Sequence, residues 1–155
     1  MGKFVVGVGN VLLRDEGIGC HVVHALEGLS LPDVKIIDGG TCPDILQLLE
    51  GAHKLVIVDA VEGGGMPGQI YRLHLEDITP DPKPFMSLHE MGLVDSLMFM
   101  QLWHNIDETV IIGVEPGDID WGLELSSELQ ERMPEIMDVI LSELNNTNPK
   151  GEMKC

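Results

Sequence analysis

Cysteine is scarce in this chain, and so is positive charge. The three cysteines, Cys20, Cys42 and Cys155, are unevenly spaced and form no CxxC pair, so neither a disulfide framework nor a cysteine metal knuckle fits. Only 9 lysines and arginines stand against 26 aspartates and glutamates, a formal charge of −17. A field of that sign repels phosphate backbones and anionic lipid surfaces and favours cations or a basic partner; neither nucleic acid nor a membrane is an expected partner. No apolar stretch reaches the roughly 18 residues of a membrane span. Met1-Gly2-Lys3-Phe4 leads straight into a strand-like run without a cleavage-site pattern, which makes the cytoplasm the expected location.

Several catalytic motifs are missing as well. Gly7-Val8-Gly9 follows a strand-like run, but the third glycine of a dinucleotide fingerprint falls on Leu12. His89-Glu90 begins like a zinc-protease helix, yet its second histidine falls on Leu93. Neither GxSxG nor GxxxxGK[ST] occurs. Serine, cysteine and nucleotide chemistries lose support together.

What remains is a chain of 155 residues with 44% hydrophobic residues, enough for one domain with a real core. The runs Phe4–Val8, Leu55–Val58 and Val110–Val114 are continuous and β-branched, as in strands covered on both faces of a parallel sheet. Val34–Ile37 is a shorter run of the same kind, and Gln69–Leu73 reads as an edge or antiparallel strand. Helical spacing joins Ile18, Val22, Ala25, Leu26 and Leu29, leaving His21 and His24 on the polar side. Further helices are expected from Pro43, over Met91–Gln101, and after a cap at Ser126 or Ser127, where Leu129, Met133, Ile136, Ile140 and Leu144 face inward. Pro134 should kink or break the last one. The Gly63–Gly68 loop and the Pro80–Pro84 segment read as mobile and substrate-facing. The pattern predicts one three-layer α/β/α domain over residues 1–145, with a mostly parallel sheet of about five strands flanked by helices, and a flexible tail over 146–155.

Acids fall where these strands end: Asp15 and Glu16 after the first, Asp38 after the second, Asp59 after the third and Glu115 after the last. In an open α/β sheet this is the ligand-binding edge, and carboxylates converging there suit a cation. Asp38 equally suits a turn or cap, and Asp15 could cap the first helix. Asp59 follows a fully apolar run, where an unsatisfied carboxylate is costly. Of six histidines, His89 stands apart, at the start of the third helix above the same edge; the other five read as solvent-facing.

The run Gly7-Val8-Gly9-Asn10-Val11-Leu12-Leu13-Arg14-Asp15-Glu16-Gly17-Ile18-Gly19 resembles the signature of the hydrogenase maturation endopeptidases. The resemblance continues through Asp38-Gly39-Gly40-Thr41, Val58-Asp59-Ala60-Val61, Pro67-Gly68, Tyr71-Arg72 and His89-Glu90-Met91-Gly92-Leu93-Val94-Asp95. It implies an endopeptidase, often classed as aspartic-type, that removes a C-terminal extension from the large-subunit precursor of a nickel–iron hydrogenase after nickel insertion. No paired Asp-Thr/Ser-Gly elements of pepsin type occur here. The resemblance places the metal ligands on Glu16, Asp59 and His89, with Asp15 as fallback for the first. Two carboxylates and an imidazole suit nickel, zinc or cadmium, and three ligands leave a coordination position open. Nickel is expected to arrive with the substrate. Asp38 is a candidate general base, and Glu16 and Asp59 are also candidates for the catalytic step. The rival expectation is a non-proteolytic nickel-binding assembly factor. The family resemblance implies a monomer.

Overall fold

The computed structural model describes residues 2–40, 51–74 and 106–145. β1 (Lys3–Val8) leads through a single 3-10 turn (Arg14–Gly17) into α1 (Ile18–Glu27). β2 (Val34–Gly40), β3 (Lys54–Ala60), β4 (Ile70–His74), β5 (Glu108–Val114) and α2 (Ser127–Asn145) follow. The five strands lie in the order β2-β1-β3-β5-β4. All neighbours are parallel except β4, which runs antiparallel to β5 at the edge. The chain leaves β1 for β2 on one side and returns on the other side for β3, so the order reverses between β1 and β3. That reversal creates the crevice of a doubly wound sheet.

Every residue of β3 and β5 is buried, which explains the unbroken apolar runs Leu55–Val58 and Val110–Val114 within them. On one face Val5, Val56, Val58, Val110 and Ile112 pack with Ile18, Val22, Val23 and Leu26 of α1 and Leu129, Ile136, Ile140 and Leu144 of α2. Phe4, Val6, Ile37, Leu55, Ile57 and Ile111 form a second cluster on the other face. The helices expected from Pro43 and over Met91–Gln101, the Pro80–Pro84 segment and the tail lie outside the described residues. Among the described residues no helix is long and apolar enough to cross a membrane.

Some expectations require correction. Ala25 and Leu29 are exposed; Val23 takes the inward position. His21 is half-buried, not solvent-facing. α2 runs through Pro134 as one helix of 19 residues, so the expected break does not occur. Buried side chains lie on both sides of the proline, and Pro134 and Gln130 are exposed, so water can reach the carbonyl left without its helical donor. Packing therefore outweighs the roughly 3 kcal/mol that an interior proline costs.

Candidate active site at the carboxyl edge

The close approach of α1 to the sheet begins with glycine. A Cβ on Gly19 would lie 2.2 Å from the Val58 carbonyl oxygen, and one on Gly9, at φ +135°, would lie 2.0 Å from that of Glu16. Only glycine lets the start of α1 and the turn before it sit directly on the ends of β1 and β3. This packing carries the acids of the first motif to the crevice.

The two acids there have different fates. Asp15 is fully buried. Its Oδ2 accepts from the Gly117 amide at 2.7 Å, the Asp118 amide at 2.9 Å and the Ser126 hydroxyl at 2.7 Å. Its Oδ1 accepts from the Ser126 amide at 2.7 Å. Asp15 therefore does not cap α1, whose N-cap Gly17 makes no side-chain capping bond; it clasps the loop between β5 and α2. Ser126 also accepts from the Leu129 amide at 3.4 Å, capping α2. Glu16 is half-buried beside it.

Arg14, at φ +50°, reinforces the same clasp. Its guanidinium donates to the Asp118 carboxylate at 2.5 Å and the Glu124 carbonyl at 2.9 Å. A left-handed arginine is a mild strain, compensated by these bonds. The backbones also join. The Arg14 amide donates to the Gly122 carbonyl at 3.0 Å, and the Gly122 amide to the Leu12 carbonyl at 2.8 Å.

Asp38 and Asp59 arrive on the two strands that flank β1. Asp38 pairs in register with Gly7, and Gly7 with Val58, the residue before Asp59. Two strand spacings separate β2 from β3, about 10 Å. Asp59 has no solvent exposure and accepts from the Ala60 amide at 2.7 Å. Cys20 stands between the two acids; burial first, then Asp38, with a smaller push from Asp59, raises its thiol to about 12. It is neutral at physiological pH and no nucleophile. For Asp38, burial alone would raise the pKa, but hydrogen bonds from Cys20 and His24 reverse this and hold it below its ordinary value. His24 is exposed, as expected, and its Nε2 lies 2.8 Å from Asp38 Oδ2.

Glu115, the acid after the last strand, holds the glycine loop. One of its carboxylate oxygens accepts from the Gly63 amide at 2.9 Å, the Gly65 amide at 3.1 Å and the Tyr71 hydroxyl at 2.5 Å. Burial, and then Glu115, raises the Tyr71 pKa. The loop expected to be mobile is thus anchored to β5. His89 lies outside the described residues, so the expected trio is represented by Glu16 and Asp59. Among the described residues no group of three metal-ligating side chains comes together. The buried Asp59 and half-buried Glu16 are hard oxygen donors of the kind that suits a divalent cation together with an imidazole.

Residues 20–143 match the model of the HycI hydrogenase maturation protease family. The hydrogenase 2 maturation protease of Escherichia coli is 31% identical over 148 residues, covering 92% of this chain and 90% of that one. The solved hydrogenase maturating endopeptidase HybD of E. coli superposes with a TM-score of 0.83 at 26% identity, covering 99% of this chain and 100% of the other. A hydrogenase 2 maturation peptidase from a Thaumarchaeota archaeon is 35% identical, with a TM-score of 0.71 and coverage of 94% and 99%.

Proposed function

The chain belongs to the hydrogenase maturation protease family, and on that premise we propose that it is an endopeptidase that removes the C-terminal extension of a nickel–iron hydrogenase large-subunit precursor after nickel insertion. The observation that carries this reading beyond the family is Asp59. A carboxylate without solvent exposure at the carboxyl end of an all-buried strand is an oxygen donor at the edge where a doubly wound sheet holds its ligand, and such a donor suits a divalent cation.

In this reading Glu16, Asp59 and His89 hold the nickel that the precursor brings, and the enzyme thereby recognises a loaded substrate. A divalent cation so held supplies Lewis acidity toward a carbonyl oxygen and lowers the pKa of water. The chain's own residues do the rest. Glu16 and Asp59 provide negative charge for binding. Asp38, whose carboxyl is held below its ordinary value, is ionised at neutral pH and is the candidate acceptor for the proton of the attacking water. Its low basicity makes that help modest.

The test is the intact mass of the cognate large-subunit precursor, with and without nickel, after incubation with this protein. Loss of a C-terminal peptide is expected only with nickel, and Glu16→Ala, Asp59→Ala or His89→Ala should abolish it. Asp38→Asn should slow it by about 100-fold if Asp38 is the base; an unchanged rate removes Asp38 from the chemistry. Nickel-dependent binding without a mass change would establish the assembly factor instead.

A further inference from the structure

The same edge of the sheet carries an apolar ridge that the chemistry above does not use. Trp121 is 78% exposed, Leu123 64% and Leu12 50%, and Val11 and Ile119 are exposed beside them in sequence. The two loops that bear them are joined through the bridge between Leu13 and Gly122, whose parallel register sets Leu12 alongside Trp121. An exposed tryptophan among aliphatic neighbours is the usual signature of a protein-binding surface, and tryptophan is the side chain most enriched at interface hot spots.

We propose that this ridge is a docking surface for the folded precursor subunit, separate from the groups that act on its scissile peptide. It receives an apolar side chain flanked by lysine or arginine. The inference rests on the precursor being the partner, as in the preceding subsection. Three observations carry it. The ridge is pre-organised: backbone bonds, Arg14 and the Asp15 clasp fix both loops, so binding orders little further chain. It is ringed by acid, since Asp120 and Glu124 are exposed within it and the whole chain carries −17; its complement is basic. The same charge argues against a second copy, because a symmetric contact would set this acidic rim against itself. Leu12 of the ridge also lies four residues before Glu16, so a subunit seated there has its tail beside the crevice.

The experiment measures binding of nickel-loaded precursor to the wild-type protein, to Trp121→Ser/Leu123→Ser and to Asp120→Asn/Glu124→Gln, with cleavage followed separately. Leu29→Ser, an exposed leucine beyond the far end of α1, is the control, and thermal unfolding verifies that each variant is folded. The apolar double variant should weaken binding by about 10-fold or more, with the loss falling on KM rather than kcat. The charge variant should flatten the dependence of association on salt, and Leu29→Ser should match wild type. Wild-type affinity in the apolar double variant overturns the proposal. So does self-association of the wild type that this variant abolishes, which would make the occupant a second copy. A wild type that binds through the ridge without cutting refutes the protease reading but leaves the docking surface standing. Cutting with undiminished affinity in the variant does the reverse.

Discussion

Asp15 and Glu16 are adjacent acids in one motif, and nothing local distinguishes them. The distinction comes from Gly117, Asp118 and Ser126, whose donors lie 102 to 111 residues away in sequence. Local spacing could therefore suggest a helix cap or a ligand for Asp15, but not a clasp. Asp59 was more legible, because a carboxylate after an unbroken β-branched run must be buried. Glu115 looked like another rim acid until its three donors from the glycine loop and Tyr71 assigned it elsewhere. Asp15→Ala leaves three amides and a hydroxyl without their acceptor, the Ser126 pair of them buried. We expect it to cost about 3–5 kcal/mol, read from urea unfolding, with Glu16→Ala costing far less. Equal losses would mean the clasp contributes little.

Among elements, the continuous apolar runs located all four parallel strands, and the weaker Gln69–Leu73 pattern located the antiparallel edge. The strands nonetheless extend beyond those runs, because charged residues at their amino ends are buried in pairs. Lys54 begins β3 and lies 3.2 Å from Glu108 of β5 and 3.0 Å from Glu143 of α2. Arg72 of β4 donates to Glu143 at 2.6 and 3.0 Å, and His74 lies 3.1 Å from Glu108. This network joins three strands and a helix at the end of the sheet opposite the site, where hydropathy alone reads a polar terminus. Burial would raise the Glu143 pKa, but Arg72 and Lys54 hold it below its ordinary 4.5. A depressed folded value contributes stability that is present above pH 4.5 and lost as pH falls through the folded value. Glu143→Gln should therefore cost about 3 kcal/mol at pH 7, and the gap to wild type should narrow below pH 4.5. A gap independent of pH would assign the loss to packing.

At the scale of the whole molecule, 26 acids against 9 bases repel one another most in the compact state. Salt should stabilise this protein. Its urea midpoint should rise between 10 mM and 500 mM sodium chloride, as the Debye length shrinks from about 30 Å to below 8 Å, and a falling midpoint would show that the buried pairs dominate the electrostatics. The fold class could be read from composition and periodicity because it depends on patterns repeated over many residues. The site could not be completed that way, since it depends on single contacts between distant loops. Those contacts also impose an order on synthesis. The motif bearing Glu16 leaves the ribosome well before Ser126, one of the groups that hold its neighbour Asp15. A nascent chain lacks the last piece of the Asp15 clasp until Ser126, 111 residues further on, has been made.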